Sequence, residues 1–192
     1  QSDDRGNSWK VISPDLTQQI DRNKLKVMGR IWSVDSVAKN VSTSMYGSLI
    51  GISESPLQEG LIMVGSDDGM ISTTNNGGKD WKSVKSFPKV PDMSYVSDVL
   101  LSSHDKNVAY ATIDNHKRGD HKPYVLKSTD QGKSWKLISN NLPEWGPTHT
   151  IVEDHVDSNL LFVGTEFGLF FTQNGGSSWD KLTSLPTTPI RD

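Results

Sequence analysis

Short hydrophobic runs alternate with polar turn residues along most of the chain. Between residues 48 and 84, the runs "SLIGIS", "LIMVG", "MISTT" and "WKSV" are separated by Pro56, Gly60, "SDDG" and "NNGG". Apolar, β-branched runs of this length, bounded by Gly, Pro, Asp and Asn, are typical of β-strands. This segment therefore predicts a sheet of four consecutive antiparallel strands.

Two further segments repeat the same order of runs. Residues 95–139 read "VSDVLLSS", "VAYAT", "YVLKST" and "WKLI", and residues 148–182 read "HTIVED", "LLFVG", "LFFTQ" and "WDKL". In the first of these, a long insertion that includes residues 114–123 separates the second run from the third. We therefore expect three sheets of four strands each.

The turn before each final run carries the motif [ST]-x-[DN]-x-G-x-x-W, which we call the box. Its Asp or Asn can accept hydrogen bonds from turn amides, its Gly can adopt a positive φ, and its hydroxyl can cross-link the turn. We expect each box Trp to pack between sheets, whereas Trp32 and Trp145 lack the motif. The structural box residues are Ser2, Asp4, Gly6, Trp9, Thr74, Asn76, Gly78, Trp81, Ser128, Asp130, Gly132, Trp135, Thr172, Asn174, Gly176 and Trp179.

The spacing of the boxes predicts the architecture. The box tryptophans are 72, 54 and 44 residues apart, and a repeat of about 40 to 50 residues is typical of β-propeller blades. We therefore predict an all-β fold, a single β-propeller segment over residues 1–192 with about three complete blades plus one strand. Its parts are the end of a preceding blade (1–12, with a strand at "WKVI"), an inter-blade insertion (13–47), blade 1 (48–84), blade 2 (95–139), blade 3 (148–182) and the start of the next connection (183–192).

Three blades do not close a ring, since known propellers have about four to eight. Open blades leave strand edges and apolar faces exposed. We therefore expect a fragment of a longer propeller, whose partners are the remaining blades of a longer chain or another copy of itself.

Composition narrows the function classes. The 23 acidic and 20 basic residues give a net charge of −3, so the chain has no general attraction for nucleic acid. No apolar stretch is long enough for a membrane span, and the absence of cysteine excludes a disulfide framework and a thiolate zinc site. No phosphate-binding glycine loop or nucleophile elbow is present, and we predict no cofactor.

The boxes resemble the Asp-box, or bacterial neuraminidase repeat, of sialidases, xyloglucanase-type glycosidases and sortilin-type propellers. Longer stretches such as "GISESPLQEGLIMVGSDDG" and "IVEDHVDSNLLFVGTEFGLFFTQNGGSSW" are similar to a narrower group of large exported bacterial proteins. These proteins are often labelled glycosyl hydrolase and contain sortilin-like, multi-blade propellers. The resemblance implies a β-propeller and a secreted or periplasmic bacterial location, but it does not fix an activity, because enzymes and binding proteins share the box.

The candidate site residues follow from the strand order. In a four-stranded meander, the boxes lie on one side of the blade, the box face, so we expect function on the opposite side, the loop face. The loop face carries the connections between the second and third strands and those between blades. Its weak catalytic candidates are Asp67, Asp68, Asp120 and Glu166, and its ligand-binding candidates are Trp32, Tyr46, His116, Arg118 and Trp145.

Each candidate has an ordinary structural alternative. The carboxylates lie in turns, where they can satisfy backbone amides, and Trp145 can fill a gap between blades instead of stacking on a sugar. Asp114, His116, Asp120 and His121 have ligating atoms, but their spacing matches no metal template, and we predict no metal site. With Lys117, Arg118 would favour a carboxylate or sulfate on a ligand.

Two functions remain open at this point. The first is a propeller module of a larger exported protein that binds a glycan or peptide ligand or acts as a scaffold. The second is part of a glycoside hydrolase that uses paired carboxylates on the loop face.

Overall fold

The computed structural model describes residues 1–37 and 46–192. Part of the predicted insertion, residues 38–45, thus lies outside the described residues. Blade 1 contains β1 (Leu49–Glu54), β2 (Ile62–Ser66), β3 (Ile71–Thr74) and β4 (Lys82–Val84). Blade 2 contains β5 (Tyr95–Leu101), β6 (Ala109–Asp114), β7 (Tyr124–Ser128) and β8 (Lys136–Leu137). Blade 3 contains β9 (Thr148–Glu153), β10 (Leu161–Thr165), β11 (Gly168–Thr172) and β12 (Asp180–Lys181).

Each blade is a four-stranded antiparallel sheet whose strands pair in chain order. The described helices are single 3₁₀ turns at Arg22–Lys24 and His116–Arg118. The predicted all-β fold class is therefore confirmed. The short turns between strands arise where the sequence clusters Gly, Asn and Asp, which adopt turn conformations readily.

The first strand of each blade contains a β-bulge near its beginning. Ile50, Ser97 and His149 have no partner on the neighbouring strand, while the residues on both sides of them are paired. A bulge inserts one residue into a strand and redirects its side chain. The three blades therefore share a position, here called the bulge position, at which a side chain leaves the regular alternation of the sheet.

Two apolar clusters join the blades. Leu61, Met63 and Ile71 of blade 1 pack with Val99 and Trp135 of blade 2. A second cluster joins blades 2 and 3 and includes Tyr110, Val125, Ile151, Val163 and Trp179. Because these side chains come from successive sheets, burial of apolar area holds the blades side by side.

The four box turns have the same hydrogen bonds. In each, the Ser or Thr hydroxyl donates to the Asp or Asn side chain and accepts from the amide of the box Gly. The Asp or Asn also accepts from the amide four residues later. All four box glycines have φ between 79° and 92°, a region that side chains other than Gly rarely adopt. These contacts account for the residue types of the motif.

The box tryptophans differ in burial. Trp135 and Trp179 are buried between blades, whereas Trp9 is 76 % exposed. Trp179 donates from Nε1 to the carbonyl of Ile138 at 2.7 Å, and Trp81 donates in the same way to Ile12 at 3.0 Å. The expectation that every box Trp packs between sheets is wrong for Trp9, since no described sheet lies beside it.

The predicted strand at residues 9–12 is not formed. Gln1 and Lys10 exchange backbone hydrogen bonds of 2.8 Å, but the segment pairs with no further strand. It lies against blade 1 through Ile12, and Leu16 beyond it is buried. A strand requires a continuous ladder of such bonds, and the described part of the chain offers no partner for one.

Candidate functional site

Three adjoining cavities form a groove on the loop face. The first, central and third cavities have volumes of about 140, 260 and 340 Å³. Asp114 and Lys117 line both the first and the central cavity, and His116 and Arg191 line both the central and the third. The groove crosses from blade 1 to the segment that follows blade 3. It therefore lies on the face where function was predicted.

The central cavity is lined by residues at bulge positions. Ser97 and His149 occupy this position in blades 2 and 3, and both line the cavity. Arg191 lies in an equivalent place, because the residue before it, Ile190, packs against Gly164 as Val96, the residue before Ser97, packs against Gly65. The Ile190 amide also donates to the carbonyl of Thr165 at 3.0 Å.

His149 lies between two carboxylates of the groove. Its Nδ1 atom is 3.7 Å from Asp114 Oδ2, and its Nε2 atom is 3.0 Å from Glu166 Oε2. Asp114 also accepts from the His116 amide at 2.9 Å and lies 2.7 Å from Nδ1 of that residue. Glu166 is 3.2 Å from Arg191 Nη2. His116, Asp114, His149, Glu166 and Arg191 thus form a continuous polar chain.

Asp67 and Asp68 hold loops in place. Asp67 Oδ1 accepts from the amides of Gly47 and Ser48 at 2.8 and 2.9 Å. Asp68 is fully buried and accepts from the Gln18 amide at 2.6 Å and from the Ser66 hydroxyl at 2.5 Å. These contacts match the structural alternative given for both residues.

Asp120 has a similar role within the insertion of blade 2. Its carboxylate accepts from the Tyr124 hydroxyl at 2.7 Å and from Asn115 Nδ2 at 3.1 Å. Burial acts to raise the pKa of Asp120, but the hydrogen bonds from Tyr124 and Asn115 outweigh it and lower that pKa. The lowered pKa keeps the Asp120 carboxyl group ionised at neutral pH, the state that accepts these hydrogen bonds.

Aromatic side chains line the third cavity. Trp145 is 66 % exposed, and its ring stacks on that of His121 with 5.5 Å between centroids. Phe167, also exposed, lies next to Gly146 and lines the same cavity. The Gly146 amide donates to the carbonyl of His121 at 2.9 Å, which ties the loop to the insertion of blade 2.

The remaining ligand-binding candidates divide between two places. Tyr46 and Arg118 line the first cavity, and Arg118 donates to the carbonyl of Asp92. Trp32 lies apart from the three cavities: its Nε1 donates to the carbonyl of Val27 at 2.9 Å, and its ring lies 5.0 Å from the Arg30 guanidinium.

The sequence reasoning missed Tyr95, Ser97, His149 and Arg191, all of which line the central cavity. Burial, with the nearby carboxylates of Asp67 and Asp114, raises the pKa of Tyr95. The signal for Ser97 and His149 is their shared place near the beginning of a blade's first strand, and Arg191 follows Ile190, which packs against blade 3 as Val96 packs against blade 1. Because a bulge depends on pairing with the next strand, this signal is weak in the sequence alone.

Within residues 1–37 and 46–192, no group of three or more His, Asp or Glu side chains is arranged to hold a metal ion. In the same described part of the chain, no helix is long and apolar enough to cross a membrane.

Comparison with known proteins identifies the fold class. No model of a known protein family matches the chain. A xyloglucanase of a Paenibacillus species is 25% identical over 161 residues, which cover 77% of this chain and 16% of that protein. The structure of a GH74 xyloglucanase from Xanthomonas campestris has a TM-score of 0.57 at 12% identity, and the match covers 74% of this chain and 24% of the xyloglucanase chain. YCF48 bound to a D1 peptide has a TM-score of 0.54 at 17% identity, and the match covers 70% of this chain and 40% of the YCF48 chain.

The fold is a β-propeller. The chain spans less than half the length of each of these three proteins. At these identities, the solved structures establish the fold and leave the function to the site itself. The resemblance to xyloglucanase-type propellers is supported, whereas the resemblances to the Asp-box repeat and to sortilin-like exported proteins stay predictions.

Proposed function

We propose that the chain is a β-propeller binding module of a larger exported protein and that the groove on its loop face binds a glycan. The observation that carries this proposal is the exposed Trp145 at the end of a polar groove. Aromatic faces stack on the apolar face of a sugar ring, and the neighbouring charged side chains can bind its hydroxyl groups. The similarity to a Paenibacillus xyloglucanase also favours a glycan.

The arrangement of the carboxylates favours binding over hydrolysis. Glycosidases place two carboxyl groups about 5 to 9.5 Å apart, with the scissile bond between them. Here the His149 ring occupies the space between Asp114 and Glu166 and contacts both. A sugar cannot occupy that space unless His149 moves.

The test is affinity electrophoresis of the full chain against a panel of neutral and acidic polysaccharides. We expect Trp145→Ala to weaken binding about tenfold, the effect of losing one aromatic stacking contact of about 1.4 kcal/mol. Trp9→Ala is the matched control, because Trp9 is also exposed but lies in a box turn. Equal losses in both variants, or no binding by the unmodified chain, would contradict the proposal.

The same polysaccharides test the hydrolase alternative. Release of reducing sugar by the unmodified chain, abolished in Asp114→Asn and Glu166→Gln, would replace the binding module with an enzyme. The comparison with peptide-bound YCF48 suggests a further outcome: binding of peptides in place of polysaccharides would keep the groove and change its ligand.

A further inference from the structure

Two cations line the central cavity of the groove. Lys117 belongs to the 3₁₀ turn in the insertion of blade 2, and Arg191 belongs to the segment after blade 3. Among the described residues, Lys117 forms no salt bridge, and its ammonium group lies 5.4 Å from the centre of the Tyr95 ring. Arg191 is exposed and uses Nη2 to contact Glu166. Both cations therefore keep hydrogen-bond donors for a ligand.

The acidic side chains of the cavity are already engaged. Asp114 is buried and accepts the hydrogen bond from the His116 amide. The imidazole rings of His116 and His149 both lie next to its carboxylate. Glu166 contacts His149 and Arg191. Because both carboxylates contact histidine or arginine side chains, whereas Lys117 forms no salt bridge among the described residues and contacts the Tyr95 ring, the cavity offers a ligand more hydrogen-bond donors than free acceptors.

The cavity is small. Its volume of about 260 Å³ is below the roughly 300–1,000 Å³ of pockets that enclose a drug-sized ligand. It can therefore accommodate one group of a longer ligand, while the remainder continues into the third cavity toward Trp145, past His116 and Arg191.

We propose that the central cavity binds the carboxylate of a sugar acid through Lys117 and Arg191, so that the ligand of the groove is an acidic glycan. This inference rests on the proposed glycan-binding function and specifies its ligand class. Arg can bind a carboxylate through two parallel hydrogen bonds, and Lys adds a compact charge. The polar chain through His149 holds Glu166 beside Arg191 and so positions the guanidinium.

The experiment measures binding of polygalacturonate, of the same polymer with its carboxyl groups reduced to alcohols, and of polyglutamate. We expect the full chain to bind polygalacturonate at least tenfold more tightly than the reduced polymer and to lose affinity as salt rises. Lys117→Met and Arg191→Gln should each weaken binding at least tenfold, and Lys117→Arg should retain it. Lys79→Met is the control, since Lys79 is exposed in a box turn on the other face.

The outcomes separate this inference from the proposed function. Equal binding of the two polysaccharides, with no effect of Lys117→Met, would overturn the sugar-acid site and leave glycan binding intact. Binding of polyglutamate without either polysaccharide would overturn the glycan function and the inference with it. Circular dichroism of each variant checks that a loss of binding does not reflect unfolding.

Discussion

At the scale of single residues, the box turns show why Asp and Asn serve the same position. In blade 2, Asp130 accepts from the Ser128 hydroxyl, from the Ser134 amide at 2.9 Å and from the Ser134 hydroxyl at 2.6 Å. In blade 3, Asn174 accepts from the Thr172 hydroxyl and reverses one contact, because its Nδ2 donates to the Ser178 hydroxyl at 2.8 Å. A hydroxyl can donate or accept, so it accommodates both side chains.

This equivalence predicts the effects of two substitutions. Asp130→Asn should leave the free energy of unfolding at pH 7 within about 0.5 kcal/mol of the unmodified chain. Asp130→Ala should lower it by about 1 to 3 kcal/mol, because the turn donors lose their acceptor. Urea denaturation of both variants is the measurement, and a loss in Asp130→Asn as large as that in Asp130→Ala would contradict the equivalence.

The same residue predicts a pH dependence. Burial acts to raise the pKa of Asp130, but hydrogen bonds from the Ser134 side chain and amide outweigh it, so the folded pKa is lowered. The carboxylate therefore stabilises the fold fully above the ordinary Asp pKa of about 3.9, and this contribution is lost as pH falls through the lower folded value. In urea denaturation from pH 7 to pH 2, Asp130→Asn should lose less stability than the unmodified chain.

At the scale of elements, the sequence predicted the strands but not their irregularities. Alternating short runs and turn residues located all twelve strands of the three blades, because each strand is bounded by local turn chemistry. The run "WKVI" has the same local pattern as "WKLI" but forms no strand, since strand formation also requires a partner. The bulge that places His149 in the groove likewise depends on pairing with β10.

The candidate site, like the strands, could be predicted where it depends on local sequence and not where it depends on distant partners. The loop face and the groove-lining Tyr46, His116, Arg118, Trp145 and Glu166 were predicted, because strand order alone decides the side on which a connection lies. Asp67 lines the first cavity, whereas Asp68 is buried. The amides that engage these two carboxylates belong to residues 19, 20 and 50 positions away along the chain, so the sequence alone could not predict these contacts.

Close packing between strands of adjacent blades predicts a coupling between Gly65 and Val96. A methyl group added at Gly65 would lie 2.5 Å from Val96 Cγ1, so Gly65→Ala should destabilise the fold by about 1 to 3 kcal/mol through overpacking. Adding Val96→Ala removes this closest contact, although Val96 Cβ and Val99 Cγ1 remain 3.1 and 3.2 Å from the added methyl group. In a double-mutant cycle of urea denaturation, we expect the double variant to be at least about 0.5 kcal/mol more stable than additivity allows. Strict additivity would contradict direct contact between the blades at this point.

At the scale of the whole molecule, the outer side of blade 1 is exposed, whereas the corresponding side of blade 3 is buried against blade 2. Ile52 in β1 and Ile151 in β9 occupy equivalent positions, since each pairs with a Val on the neighbouring strand, Val64 and Val163. Ile151 is 2 % exposed because it packs in the cluster between blades 2 and 3. Ile52 is 75 % exposed, since no described sheet covers that side of blade 1.

This difference gives a matched pair of substitutions. Ile151→Ala should lower the free energy of unfolding by about 2 to 5 kcal/mol, because it removes buried methyl groups and leaves a cavity. Ile52→Ala should change it by less than about 0.5 kcal/mol, as is usual for exposed sites. Urea denaturation at two protein concentrations measures both. A large loss in Ile52→Ala, together with stability that rises with protein concentration, would show that another copy covers this side of blade 1 in solution. A large loss independent of concentration would contradict the exposure of Ile52 itself, because only burial within the chain could then account for the cost.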